Sequence, residues 1–197
     1  MEWYAFAIVG AYILGSIPFG LLVAKALGEK DPRTSGSKNI GFTNVLRVCG
    51  KKAGILTLIG DIGKGVMATG LAQSLGPIKF LILLVGFSVI LGHIFSAFLL
   101  FKGGKGVATG LGAILGIDAF LGLCLFAIWI VAVLTFKYSS GGALAAFSFF
   151  PVIGLIMGDA QLCVFGLCVL GLILYCHKDN IIRLAKGTEP KMSIFST

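Results

Sequence analysis

Residues 101–110, FKGGKGVATG, place lysines and glycines directly after the apolar run 78–101. Glycine lets the backbone turn tightly and approach a ligand, and lysine supplies a compact positive charge. The N-terminus of a following helix would direct N–H groups to the same place. The segment is not a P-loop, because GxxxxGK[ST] needs Ser or Thr after the lysine. We predict a phosphate-binding segment formed by Lys102, Gly103, Gly104, Lys105 and Gly106.

A second polar stretch, TSGSKNIGFTNVLR, covers residues 34–47. Closely spaced serines, glycines and backbone N–H groups form anion-binding nests, and an arginine can bind phosphate or carboxylate with two N–H groups. The stretch is either such a site or an ordinary solvated loop, and from Asn39 onward it is compatible with a short interfacial helix. The candidate binding residues are Ser35, Ser37, Asn39, Thr43, Asn44 and Arg47.

The stretch GDIGKG, residues 60–65, places a charged pair deep in an apolar run. Asp61 and Lys64 are three residues apart and share one face of a helix. Two interpretations stay open for Lys64, an internal ion pair between helices or a cation that faces a polar cavity and binds an anion. His93 also lies in an apolar run, where a helix–helix contact is the more common role.

The stretch HKDNIIRLAKGTEP, residues 177–190, follows the last apolar run. His177 and Asn180 share a helical face, and a histidine at this boundary can accept a proton or bind phosphate. The alternative is an interfacial helix with ordinary polar residues.

The amino-acid composition of the chain indicates the kind of secondary structure that positions these residues. The chain has 197 residues, of which 57% are hydrophobic and 12% are charged, against about 25% charged in an average soluble domain. Apolar runs recur along the whole length, so we predict an all-α polytopic membrane protein with one membrane domain, 1–197. Glu2 and the length of the first run favour a membrane span over a signal peptide.

Seven apolar runs are predicted to form membrane helices. A full crossing needs about 20 apolar residues, so the fourth run is too short for a straight crossing and is compatible with a half-depth helix. The runs are 3–27, 53–75, 78–101, 106–117, 118–137, 142–158 and 160–177.

The net charge of +8 lies mostly in alternate loops. By the positive-inside rule this distribution places the N-terminus outside and the C-terminus in the cytoplasm. All four polar stretches then reach the cytoplasmic face, and the expected ligand is anionic, with a phosphorylated compound favoured. The basic residues on that side are Lys30, Arg33, Lys38, Arg47, Lys51, Lys52, Lys102, Lys105, Lys137, Lys178, Arg183, Lys186 and Lys191.

Metal ligands and a disulfide framework are not indicated. The cysteines include no CxxC pair and no spacing to histidine that suits zinc. Four of the five lie in apolar runs, where cysteine packs as a small hydrophobic residue. We therefore expect no metal and no cofactor.

Together the motifs resemble those of the bacterial acyl-phosphate-dependent glycerol-3-phosphate acyltransferase family, PlsY. The resemblance covers nearly the whole chain. Its motifs here are GSIPFG (15–20), SGSKNIGFTNVLR (35–47), GDIGKG (60–65), GHIFSAFLLFKGGKGVATGLG (92–112) and HKDNIIRL (177–184).

The resemblance implies transfer of a fatty acyl group from acyl phosphate to the 1-hydroxyl of sn-glycerol 3-phosphate, with lysophosphatidic acid and phosphate as products. It implies catalytic roles for His177, Asn180 and Lys105, and the base is either His177 or a phosphate oxygen of the substrate. Acyl phosphate is already activated, which agrees with the absence of a Ser/His/Asp set and of a GxSxG motif. We expect a monomer in the bacterial inner membrane that contacts lipids, binds no nucleic acid and has its active site facing the cytoplasm.

Two other functions fit less well. A transporter or channel for a phosphorylated anion needs a path to the other side, but the external loops are short and nearly free of cations. A phosphotransferase usually needs a metal held by clustered carboxylates, and only Asp61 and Asp179 are acidic and suitably placed.

Overall fold

The structure, a computed structural model, describes residues 2–192. Every regular element within that range is helical, which confirms the predicted fold class. A 3₁₀ turn at Ala97–Leu99 accompanies the α-helices. These are α1 (Glu2–Ser16), α2 (Phe19–Ala26), α3 (Phe42–Ser74), α4 (Lys79–Ile94), α5 (Val107–Ile117), α6 (Ala119–Phe136), α7 (Ser139–Ile156), α8 (Ala160–Cys176) and α9 (Lys178–Ala185).

Four of the described helices are long and apolar enough to cross a membrane, namely α3, α4 with the following 3₁₀ turn, α6 and α7. The number rises to six if the bent pairs α1–α2 and α8–α9 each form one span. Helix α5 has 11 residues and, at about 1.5 Å per residue, extends over about half of a ~30 Å hydrocarbon core. Its length fits the half-depth interpretation of residues 106–117.

The first apolar run is not the single helix predicted over 3–27. Helix α1 ends at Ser16 and α2 begins at Phe19, with a bend of 44° between them. Pro18 lies in the break, and proline lacks an N–H and disfavours a helical conformation in the residue before it. The break exposes the Ile17 carbonyl group to a partner from another helix.

Helix α3 joins the predicted interfacial helix to the predicted span at 53–75. It begins at Phe42 and is kinked at Gly50, whose φ of 84° and ψ of 176° are not helical. A φ in this range is readily adopted only by glycine. The segment before Gly50 is therefore a separate short helix that carries Thr43, Asn44 and Arg47.

Contacts divide the chain into two compact units, one ending at Ala119 and the other beginning at Phe120. One domain over 1–197 remains a prediction. In the first unit α1 packs on α4 and α3 packs on α5. Glycines allow the close approach, since a Cβ on Gly92 would collide with the Tyr12 carbonyl oxygen and one on Gly112 with that of Ile62. Small residues serve the same purpose in membrane helix pairs generally.

The second unit contains α6 to α9, and its best-packed pair is α7 with α8. Phe150 and Phe165 pack edge to face with ring centroids 5.6 Å apart. Gly154 and Gly166 lie against the backbone of the opposite helix. The five cysteines of the chain form no disulfide, and Cys49 is the buried one.

Candidate active site

The glycine–lysine segment 102–106 is attached to the end of α4 by its backbone. The Gly103 N–H donates to the Ile94 carbonyl oxygen and the Gly104 N–H to that of His93, both at 2.9 Å. Neither glycine has a positive φ, whereas Gly106, at the start of α5, has φ 82°. The N–H groups of Gly103 and Gly104 therefore have partners on α4, and phosphate binding by these two residues stays a prediction.

Close packing against His93 explains why residues 103 and 104 have no side chain. A Cβ on Gly104 would collide with His93 Nε2 and lie 2.8 Å from His93 Cε1. A Cβ on Gly103 would collide with the His93 carbonyl oxygen. The lysines on either side differ, since Lys102 is exposed and Lys105 is half-buried. The segment thus presents two cations from a backbone that lies directly on His93.

Lys64 forms the internal ion pair that was one of its two interpretations. Its ammonium nitrogen lies 2.9 Å from Asp61 Oδ1, 2.9 Å from His93 Nδ1 and 2.9 Å from the Ile17 carbonyl oxygen. The side chains of Lys64 and Asp61 are only 1% and 2% exposed. The ammonium hydrogen-bonds to His93 and to the Ile17 carbonyl oxygen, and it forms a close ion pair with the Asp61 carboxylate. Lys64 thus has three partners within the protein, and direct anion binding by Lys64 stays a prediction.

Asn44 organises the loop that precedes α3. Its Oδ1 accepts the Ser37 N–H at 2.8 Å, and its Nδ2 donates to the carbonyl oxygens of Pro32 at 2.7 Å and Asn39 at 2.9 Å. Asn39 in turn accepts the Gly41 N–H through Oδ1 at 2.8 Å. The amide of Asn44 thus shapes the loop through these hydrogen bonds, and its contact with phosphate stays a prediction.

The remaining candidates of this stretch lie at the surface or near it. Ser35 and Ser37 are exposed, and Gly36 between them has φ 61°. Thr43 and Arg47 are half-buried and one turn apart at the start of α3. Their roles in substrate binding stay predictions.

His177 lies at the corner between α8 and α9, which are bent by 67°. It is buried, and its Nδ1 lies 2.8 Å from the Ile173 carbonyl oxygen. A carbonyl oxygen only accepts, so Nδ1 carries a proton, and when the ring is neutral Nε2 is the accepting nitrogen. This is the form of the ring that a general base requires.

Asn180 is also buried, and its main contact is a residue that the sequence did not single out. Its Nδ2 donates to Glu189 Oε1 at 2.6 Å. The same oxygen accepts the Ser140 hydroxyl at 2.7 Å, and Glu189 Oε2 accepts Arg183 Nε at 2.7 Å. Burial raises the pKa of Glu189, but these hydrogen bonds outweigh it, and the pKa lies below its usual value. Glu189 thus fixes Asn180 at the start of α9.

Sequence reasoning missed Glu189, Ser140 and the contact of Asp61 with His93. One signal was present for Glu189, because the chain has only eight acidic residues and a carboxylate among basic residues implies a pairing. Nothing in the sequence pointed to Ser140, because serine is common in short polar stretches such as SSGG.

The chain was compared with known proteins. The sequence model of the family described as glycerol-3-phosphate acyltransferase matches residues 5–187. The glycerol-3-phosphate acyltransferase of Dechloromonas aromatica is 46% identical over 190 residues, 95% of this chain and 96% of that protein. The one of Methylococcus capsulatus is 45% identical over 193 residues, 98% of this chain and 96% of that protein.

Two crystal structures of PlsY (YgiH), an integral membrane glycerol 3-phosphate acyltransferase, have the same fold. The glycerol 3-phosphate form has a TM-score of 0.91 and 35% identity, and the lysophosphatidic acid form 0.88 and 34%. Each alignment covers 95% of this chain and 94% of the PlsY chain. The chain therefore belongs to the glycerol-3-phosphate acyltransferase family.

Proposed function

We propose that this protein transfers a fatty acyl group from acyl phosphate to the 1-hydroxyl of sn-glycerol 3-phosphate, giving lysophosphatidic acid and phosphate. The enzyme class, a membrane glycerol-3-phosphate acyltransferase, follows from the family. The observation that carries the proposal is the similarity over 95% of the chain to PlsY in forms with glycerol 3-phosphate and with lysophosphatidic acid.

The reaction balances without a covalent enzyme intermediate. The hydroxyl oxygen of glycerol 3-phosphate attacks the carbonyl carbon of acyl phosphate, a new C–O ester bond forms, and the bond to the phosphate oxygen breaks. Phosphate leaves with the electron pair. The hydroxyl proton goes to His177 Nε2 or to a phosphate oxygen, and Nε2 is the accepting nitrogen of the ring.

The first unit supplies the groups that neutralise phosphate. Lys102 and Lys105 flank a glycine backbone that α4 holds, and Arg47 and the serine hydroxyls lie in and after the loop that Asn44 organises. Positioning two reactants lowers the barrier by about 7–11 kcal/mol in favourable cases, and fixed cations stabilise charge that develops in the transition state. The catalytic roles of Lys105, His177 and Asn180 are part of the proposal.

The proposal places the enzyme in the bacterial inner membrane as a monomer, with its active site at the cytoplasmic face. Support comes from the basic residues of alternate loops and from the positive-inside rule.

A donor comparison tests the proposed reaction. Purified protein in detergent is given glycerol 3-phosphate with acyl phosphate, acyl-CoA or acyl-carrier protein of the same chain length. Lysophosphatidic acid is expected from acyl phosphate alone. Equal rates with a thioester donor would refute the donor assignment.

Lys105→Ala is expected to lower kcat/KM for glycerol 3-phosphate by about 100-fold, which corresponds to about 2.7 kcal/mol of transition-state stabilisation. Lys79→Ala, at the start of α4, removes the same charge outside the 102–106 segment and is expected to stay within about twofold of the unmodified protein. Equal losses in the two variants would point to a general charge effect and against a phosphate site.

Chelation and removal of thiols are expected to leave most activity. Among residues 2–192, no three His, Cys, Asp or Glu side chains are grouped to hold a metal ion. Cys49, whose thiol lies 3.2 Å from the Lys30 carbonyl oxygen, is replaced by serine and the other four cysteines by alanine. The assay is lysophosphatidic acid formation with and without EDTA. Complete loss on chelation that a divalent ion restores would overturn this expectation.

A further inference from the structure

The buried cluster of Asp61, Lys64 and His93 joins three separate parts of the first unit. Asp61 and Lys64 lie on α3, His93 lies on α4, and the Ile17 carbonyl group lies at the break between α1 and α2. Lys64 contacts all three groups at 2.9 Å. An ion pair at this depth is costly to bury and needs a full set of partners.

The cluster also fixes the orientation of the imidazole. A charged lysine ammonium only donates, so with Lys64 charged His93 Nδ1 accepts from it and the proton of the neutral ring is on Nε2. Asp61 Oδ1 lies 3.4 Å from the same Nδ1. Asp61 and Lys64 therefore both contact the ring at Nδ1, and the Nε2 side of the ring faces away from them.

That opposite edge lies against the glycine–lysine segment. Nε2 and Cε1 occupy the place that a side chain on Gly104 would need. The backbone of the same histidine accepts the Gly104 N–H, and the next carbonyl group along α4 accepts the Gly103 N–H. His93 thus contacts the segment through both its ring and its backbone.

We infer that Asp61, Lys64 and His93 form a positioning cluster, which sets the location of the Gly103–Gly104 backbone and hence of Lys102 and Lys105. None of the three touches substrate in this account. They act through the segment, from buried positions in the first unit. The inference rests on the proposed function, because it takes residues 102–106 as the phosphate-binding segment.

The test separates positioning from stability. Lys64→Met alone leaves the Asp61 carboxylate buried without its cation, so a lower melting temperature is expected. The double variant Asp61→Leu with Lys64→Met removes both charges, and its melting temperature is expected to recover. If the cluster positions the segment, KM for glycerol 3-phosphate in the recovered double variant still rises at least tenfold, with a smaller change in kcat.

A second variant and a control complete the design. His93→Asn keeps an acceptor for Lys64 but removes the ring beneath Gly104, and the same rise in KM is expected. Ser88→Ala removes another buried bond of α4, from Ser88 Oγ to the Ile8 carbonyl oxygen at 2.6 Å, and should leave KM unchanged.

Unchanged KM and kcat in folded His93→Asn, or in the folded double variant, would overturn the inference while leaving the proposed function intact. If the double variant does not fold, the KM and kcat of His93→Asn alone test the inference. Failure of the proposed function looks different, because the unmodified protein would then form no lysophosphatidic acid from acyl phosphate.

Discussion

Gly104→Ala is expected to lower kcat/KM for glycerol 3-phosphate by about 100-fold or more while the protein still folds and inserts. Alanine would be favoured over glycine by up to about 1 kcal/mol if only helix propensity mattered. Here, however, the added Cβ would collide with His93 Nε2, so the segment or the imidazole must move. A displacement of about 1 Å near reacting groups is enough for a loss of this size.

The control for this variant must be a glycine with room for a side chain. Gly116 is unsuitable, since a Cβ there would collide with Thr69 Oγ1. Gly70 on α3 has no heavy atom within 4 Å of an added Cβ, so Gly70→Ala should keep wild-type kinetics. The measurement is steady-state kinetics on monodisperse protein. Wild-type kinetics in Gly104→Ala would contradict this expectation and would indicate that the 102–106 segment is a basic surface loop whose glycines have no role in the reaction.

Glu189→Ala is expected to abolish most activity and to destabilise the second unit. The carboxylate accepts hydrogen bonds from Ser140, Asn180 and Arg183, and its loss leaves the buried Ser140 and Asn180 groups without that acceptor. Hydrogen bonds to a charged group contribute about 1.5–3 kcal/mol each. The readouts are melting temperature and kcat, with Asp179→Ala, an exposed acidic residue of α9, as the matched control.

The same carboxylate predicts a pH dependence of stability. Because its folded-state pKa is lowered, its contribution is fully present above the unfolded-state value, about 4.5, and is lost as pH falls through the folded-state value. Glu189→Gln should therefore lower the melting temperature at pH 7 and reduce its decline below about pH 4.5. A decline as steep as that of the unmodified protein would show that other carboxylates control acid stability.

Much of the fold could be predicted because each segment that crosses the hydrocarbon core must satisfy its own backbone hydrogen bonds. Apolar runs long enough to cross are helices, and the short run at 106–117 gave the short helix Val107–Ile117. The break before Phe19 was missed although Pro18 is visible in the sequence, since proline is often tolerated in membrane helices. The kink at Gly50 was not predicted either, because a single glycine in a sequence does not indicate whether its φ is positive.

For the candidate site, the sequence indicates residue types that suit an anion but not the partners of those residues. Local signals such as KGGKG identify which residues can meet an anion. Whether a given group is occupied depends on contacts between distant residues, such as Lys64 with His93 or Glu189 with Ser140. Periodicity and propensity carry no information on such pairs, so the sequence alone does not indicate the protein partners that Lys64 and Asn44 have in the structure.

Simultaneous measurement of both products is the sharpest test of acyl transfer from acyl phosphate to glycerol 3-phosphate. Purified protein is mixed with acyl phosphate and glycerol 3-phosphate, and lysophosphatidic acid and inorganic phosphate are measured over the same initial interval. We expect one phosphate released for each lysophosphatidic acid formed and no release above background without glycerol 3-phosphate. In Lys105→Ala, both products should decrease in parallel. Phosphate release that is independent of glycerol 3-phosphate, or no lysophosphatidic acid from folded protein, would contradict the proposed reaction.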